Sequence, residues 1–288
     1  MKFGMMFANA GPAAQPDHAA ALAQIAEEAG FESLWTVEHV VVPAGYESEY
    51  PYSRDGRMPG GEDVPIPDPL VWLAFVGAHT ARINLATGIL ILPQRNPVVL
   101  AKEVATLDVL TGGRAILGVG VGWLREEFDA IGVPFEERAA RTDDGIAALR
   151  ALWTQPEPTY DGRFSSFSRA KSFPKPAREG GVPIVVGGHS EAAARRAGRL
   201  GDGFFPARGD LEKLPGLIEV MRKAAVDAGR DPEAIEITTG GAMDVDGVRR
   251  YEDLGVSRLV IPPLGFDVET LRTQVARFGD EVIAKVGG

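Results

Sequence analysis

Along the chain, short apolar runs alternate with longer stretches in which apolar residues recur every three or four positions. Lys2–Phe7 is the first short run, and it stops at Asn9-Ala-Gly-Pro. Asp17–Ala29 then places Ala20, Leu22, Ile25, Ala26 and Ala29 mostly on one helical face, with Gly30 as a C-terminal stop. The same alternation predicts strands over Ser33–Val37, Ile83–Leu92, Ala115–Val119, Pro183–Val186, Gly203–Phe205, Ile235–Thr239 and Arg258–Ile261. Between and after them it predicts helices over Pro69–Thr80, Pro97–Leu110, Arg138–Trp153, Glu191–Leu200, Leu211–Ala228, Val245–Leu254 and Val268–Phe278. Asp68 is placed to cap the second helix. Pro97 opens the third, where its missing N–H costs nothing.

These runs make eight strand–helix units in 288 residues. Several strands, such as Ile184-Val-Val, are continuously apolar, as expected of parallel strands buried on both faces. The pattern predicts an α/β fold, a (β/α)8 TIM barrel forming one domain over residues 1–288, with a doubly wound open sheet as the alternative. Two stretches exceed an ordinary connection: residues 40–67 after the second strand and 154–181 before the fifth. The first leaves a strand's C-terminal end, so in a barrel it lies on the catalytic face and reads as a lid or substrate wall. The second leaves a helix and would begin on the opposite face unless it folds back.

Composition narrows the function. A 45% hydrophobic content is that of an ordinary globular protein. The absence of cysteine removes disulfides, thiolate metal sites and a cysteine nucleophile, and fits a reducing compartment. The net charge is -10, with arginines scattered among Asp and Glu, which disfavours nucleic acid as a partner. No apolar run reaches bilayer length, and the stretch from Met1 to Phe7 lacks a signal-peptide layout. A soluble cytoplasmic protein with no membrane partner is expected.

In a barrel, chemistry is expected at the strand C-termini. The second strand ends in Glu38-His39, and of four histidines His39 is the best placed to hold or move a proton. The fourth leads into Gly118-Val-Gly120-Val121-Gly122-Trp123, whose alternating glycines would let a flat ligand approach the backbone. This run is not a Rossmann fingerprint: the third glycine is misplaced and no acidic residue follows at the required distance. Trp123 reads either as a site wall or as a core aromatic. The fifth strand leads into Gly187-Gly188-His189-Ser190 before a helix, a natural phosphate turn; Ser190 is also a plausible N-cap. No metal-ligand spacing, nucleophile elbow, late-strand Schiff-base lysine or paired carboxylates appear, so a bound cofactor is expected to supply the chemistry.

Several collinear segments resemble the luciferase-like monooxygenase superfamily: Ala29-Gly-Phe-Glu-Ser-Leu-Trp-Thr-Val-Glu-His39, Ala86–Pro97, Ala101–Asp108, Gly112-Gly-Arg114, Leu117–Trp123 and Ile184–Gly188. The similarity is greatest to its branch of oxidoreductases that use the deazaflavin coenzyme F420. The resemblance implies a barrel, commonly homodimeric, that holds a flavin or deazaflavin at its mouth. It implies a bulge with a non-proline cis peptide in the third strand, which counting back from Pro93 places at Ile89–Leu90, behind the cofactor ring. Ile89, Leu90, Leu92, Gly120, Val121 and Gly122 would then line the ring, and Gly187, Gly188, His189 and Ser190 its phosphate. Glu38 and His39 would lie over the ring as an acidic–histidine pair, with Trp123 and Tyr46 toward a small-molecule substrate. Tyr50 and Tyr52 are further lid candidates, and Arg54, Arg57, Arg195 and Arg196 are candidates to meet an anionic cofactor tail. Val121 aligns where sugar-phosphate dehydrogenases of the branch carry an acidic residue, which argues against sugar oxidation. FMN is the alternative cofactor, making the chain the oxygenase of a two-component monooxygenase with a separate flavin reductase. A non-catalytic flavin-binding protein is the third reading.

Overall fold

In the computed structural model, which describes residues 1–53, 55–206 and 211–286, the short apolar runs become the staves of a closed parallel barrel. The strands are β1 (Lys2–Met6), β2 (Ser33–Thr36), β3 (Asn84–Thr87), β4 (Leu90–Ile91), β5 (Ala115–Gly120), β6 (Tyr160–Asp161), β7 (Ser166–Phe167), β8 (Ile184–Gly187), β9 (Gly203–Phe205), β10 (Glu236–Gly240) and β11 (Arg258–Ile261). Pairing runs β3–β2–β1–β11–β10–β9–β8–β5, and β5 pairs back to β3. The sheet has no open edge, which excludes the doubly wound alternative. The helices are α1 (Pro16–Glu28), α2 (Pro69–Gly77), α3 (Pro97–Leu110), α4 (Arg125–Ala130), α5 (Arg138–Thr154), α6 (Glu191–Leu200), α7 (Leu214–Asp227), α8 (Val245–Glu252), α9 (Val268–Phe278) and α10 (Ala284–Val286). The short α4 lies in the loop after β5 and has no counterpart in the periodicity.

The expected strand Ile83–Leu92 is interrupted. Leu85 and Ala86 face Ala115 and Ile116 of β5, whereas Leu90 and Ile91 face Val119 and Gly120. Four steps on this stave therefore oppose three on its neighbour, which is a β-bulge. A cis peptide does occur here, but at Gly88–Ile89, one bond before the expected Ile89–Leu90. Leu90 is already back in register with Val119, so the irregular linkage falls ahead of it.

Two packed regions separate inside from outside. Trp35, Ala86, Ile116, Val185, Phe205 and Val260 cluster within the barrel, with Met6 against them. Trp35 is fully buried there, and β1 passes it at a glycine because a Cβ on Gly4 would lie 2.6 Å from the indole nitrogen. Below it, Arg258 is 2% exposed and pairs with Glu32 at 2.9 Å and Glu236 at 3.2 Å, closing the N-terminal floor. The larger core lies between the strands and the inner helix faces, and includes Leu22, Leu34, Leu73, Leu90, Leu100, Leu149 and Ile184.

The 154–181 insertion folds back along α5. It contains the β6–β7 hairpin, Tyr160 bonds Asp144, and Arg163 near the tip reaches Glu137 at the start of α5. The chain then descends to the barrel floor, where buried Asp108 accepts N–H bonds from Ala177 and Ala115.

Candidate active site

The bulge builds a floor at the C-terminal mouth. Ile89, half-buried, projects between two staves that carry glycine. A Cβ on Gly120 would lie 2.6 Å from Ile89 Cδ1, and one on Gly187 2.6 Å from Ile89 Cγ2. Gly118 lets the Thr87 carbonyl oxygen approach to where its own Cβ would stand, 1.9 Å away. Gly122, at φ +79°, leaves room for Phe128 and Ile91. The glycines of β5 thus accommodate neighbouring protein atoms, which corrects the reading that they open the backbone to a flat ligand. Leu90 and Leu92 are also relocated. Both are buried in the core outside the barrel, with Leu92 against Gly145 of α5, because they follow the bulge on its outward side. Val121 remains half-buried beyond the end of β5.

Glu38 and His39 do not act as a pair. Successive side chains on an extended segment point opposite ways, and each finds a different partner. Glu38, 6% exposed, accepts from the Arg95 guanidinium and from the Ile91 N–H, so it braces β4. Burial pushes its carboxyl above the ordinary value, against the opposing pull of Arg95. Arg95 also bonds Asp68, the N-cap of α2. His39 turns the other way: its Nδ1 lies 3.1 Å from Oε2 of Glu127, a fully buried residue of α4. Among the described residues its Nε2 has no hydrogen-bond partner. The sequence does not signal Glu127, because nothing in the local pattern separates it from an exposed helical glutamate.

Residues 40–53 and 55–67 lie at the mouth, on the face where the chain leaves β2. Two successive carboxylates at the start of α4 fasten this segment. Glu127 Oε1 accepts from the Val40 N–H at 2.5 Å and the Val41 N–H at 3.4 Å. Glu126 accepts from the N–H groups of Glu47 and Ser48 and from the Ser48 hydroxyl. Partial burial pushes the Glu126 carboxyl up, but the Ser48 hydroxyl and these N–H groups outweigh it and hold it at about 2.

Between the two fastenings, aromatic rings meet edge to face around Trp123. Its centroid lies 5.6 Å from His39, 5.5 Å from Tyr46 and 5.2 Å from Tyr50. Tyr50 contacts Tyr52, and Tyr52 contacts His189 at 5.0 Å, so the arc spans the mouth from the end of β2 to the end of β8. Trp123 is half-buried and walls the mouth. Tyr46 is 3% exposed, and its hydroxyl accepts from the Met58 N–H while Arg57 lies over its ring. Its polar end is therefore committed to the lid's own core instead of a substrate.

After β8, Gly188 takes φ +127°, where a Cβ would also meet Ala193 at 2.9 Å. Ser190 is the N-cap of α6, accepting from the Ala193 N–H. Among the described residues the first-turn N–H groups of Glu191 and Ala192 have no acceptor, which leaves them and the positive end of α6 for an anion. His189 and Ser190 are both exposed beside this turn. The arginine candidates fare unevenly. Arg196 is buried on Asp143, Arg195 pairs with Glu191 at 2.9 Å, Arg57 is bonded to Tyr46, and Arg54 lies outside the described residues.

A half-buried apolar floor, an open helix N-terminus and an aromatic wall fit a ring cofactor that carries a phosphate. The turn after β4 adds Gln94, whose two amide atoms are buried without a partner among the described residues. Among those residues no His, Asp and Glu cluster suits a metal, and no helix is long and apolar enough to cross a membrane. Two open grooves, each of about 390 Å³, lie elsewhere: one between α1 and α9, the other at the barrel floor beside Arg258 and Asp202.

The family model of luciferase-like monooxygenases matches residues 1–246. The chain belongs to the luciferase-like monooxygenase family. Within the range of this family, the chain is 35% identical over 274 residues to Uncharacterized protein Rv0940c of Mycobacterium tuberculosis, covering 92% of this chain and 94% of that one. It is 34% identical over 222 residues to the F420-dependent glucose-6-phosphate dehydrogenase of Nocardia farcinica, covering 75% of this chain and 61% of that protein. The luciferase-like barrel also superposes on the coenzyme F420-dependent tetrahydromethanopterin reductase of Methanopyrus kandleri, with a TM-score of 0.79, 18% identity and 99% of each chain covered.

Proposed function

We propose that this luciferase-like protein is an oxidoreductase that uses the deazaflavin coenzyme F420 on a small organic substrate. The observation that carries the reading is the convergence, at one barrel mouth, of the open first turn of α6, the Ile89 floor and His39 with one ring nitrogen unpartnered. Its similarity to an F420-dependent dehydrogenase supports the choice of ring. The Gly187–Ala192 turn would hold the phosphate and Ile89 would back the ring. Hydride exchange with a substrate carbon is the chemistry a deazaflavin held there would supply. The chain's own residues do the rest. Trp123 and the aromatic lid confine the substrate and exclude water, while His39 Nε2 holds or moves a proton at the reacting group.

The test is titration of the purified protein with the deazaflavin and, separately, with FMN, following quenching of ring fluorescence. Submicromolar deazaflavin binding is expected. FMN binding with no deazaflavin response overturns the reading and points to flavin-dependent oxygenation, the reaction for which the family is named. Gly188→Val, which would drive a side chain into Ala193 from a left-handed backbone position, should weaken binding. Unchanged affinity removes this turn from the cofactor site.

A further inference from the structure

Glu127 is buried, ionisable and placed on no stave of the barrel, yet it is the hydrogen-bond partner of the mouth histidine. We propose that Glu127 is a positioning residue that fixes the tautomer of His39, so that the site receives a group bearing a hydrogen-bond donor, such as a hydroxyl. This rests on the reading of His39 as the proton-handling residue.

The two carboxylate oxygens divide the work. Oε1 faces the N–H groups of Val40 and Val41, which can only donate. Oε2 faces His39 Nδ1 at 3.1 Å. A carboxylate offers lone pairs only, so the imidazole must place its proton on Nδ1 and leave the Nε2 lone pair bare. The side chain of His39 is 9% exposed and that of Glu127 0%, so water does not compete for the contact. The ring is also held edge to face by Trp123 at 5.6 Å, which limits its rotation. His39 therefore presents an acceptor at Nε2. A substrate hydroxyl can donate to it and pass its proton there; the imidazolium so formed keeps its Nδ1–H on Glu127. The bond broken is O–H and the bond formed is Nε2–H; the electron pair stays on the substrate oxygen, and the positive charge gained by the imidazolium lies beside a carboxylate.

The decisive substitution is Glu127→Gln. The Val40 and Val41 N–H groups claim the new amide oxygen, because an NH₂ cannot accept from them. The NH₂ then faces His39 and donates to Nδ1, which moves the ring proton to Nε2. The experiment is nitrogen-detected NMR of ring-labelled histidine in the cofactor-free protein, with His39 assigned among the four histidines by its loss in His39→Asn. The wild type should show Nδ1–H and Glu127→Gln should show Nε2–H, while Glu127→Asp restores the wild-type signature. With cofactor and a turned-over substrate, Glu127→Gln should lower kcat by about 10²–10⁴-fold, the range of a positioned acid–base group, with little change in KM. An Nε2–H signature in the wild type overturns the proposal without any variant. An unchanged tautomer in folded Glu127→Gln overturns it as well. Cofactor titration fails or succeeds independently of these signals, so a wrong cofactor and a wrong role for Glu127 give different results.

Discussion

Gly118→Ala probes the closest strand approach in the barrel. The added methyl would lie 1.9 Å from the Thr87 carbonyl oxygen, where ordinary contact begins near 3.4 Å. The obstructing atom is backbone, so no side-chain rotation relieves the clash, and β3 and β5 must part by roughly 1.5 Å. Parting them stretches the bond from Thr87 Oγ1 to the Gly118 carbonyl, now 2.7 Å, which contributes about 1 kcal/mol. Overpacking of this kind costs about 1–3 kcal/mol. The lower unfolded-state entropy of alanine returns only about 0.4–1 kcal/mol. The net loss is therefore about 1–3.5 kcal/mol, a fall in Tm of roughly 3–10 °C at about 3 °C per kcal/mol for a chain of this size. Thermal unfolding by circular dichroism measures it, with Gly216→Ala as the control. Gly216 lies in α7 with nothing within 4 Å of where a Cβ would stand, and there alanine should stabilise. If Gly118→Ala unfolds within a degree or two of wild type while the control behaves, the strands do not approach this closely and the account of the bulge fails.

The lid fastening should depend on pH. Glu126 is held at about 2 against an ordinary 4.5, so its contribution is complete above 4.5 and is lost as pH falls toward 2. Trp123 fluorescence should report lid loosening across that window, and Glu126→Gln should abolish the transition there; an unaltered transition would assign it to other groups. At the floor, Arg258→Ala leaves half-buried Glu32 without its partner and should destabilise by about 1–3 kcal/mol at neutral pH. Burial pushes the Glu32 carboxyl up, but Arg258 outweighs this and holds it below 4.5, so the wild type's advantage should shrink as pH falls beneath that value. A denaturant-measured gap that stays constant from neutral to acid pH would separate the two residues.

Much of the scaffold is legible in the chain. Continuous apolar runs mark the staves, and amphipathic runs the helices between them. Asp68 and Ser190 cap the helices they precede, because a short polar side chain before an apolar run can satisfy the first N–H groups wherever the chain folds. The glycine turn before α6 and the long mouth segment are equally local signals. The interruption of the third stave is not, since Thr87–Leu92 is apolar enough for an unbroken strand. Its bulge follows from the family resemblance and not from the local pattern, and the register of β5 locates it.

Local pattern specifies which residues are buried and which helices begin where, since backbone geometry and apolar spacing act within a few positions. It leaves open what each buried polar group meets. Glu38 bonds Arg95 57 positions away, and His39 meets Glu127 across 88. Adjacent in the chain, the two residues diverge because alternate side chains leave an extended segment on opposite sides. Such partners are chosen by closure of the barrel, which brings the ends of β2, β4 and β5 together. The glycines on β5 and β8 show the same division: their composition signals close approach, and the fold supplies the atoms that approach.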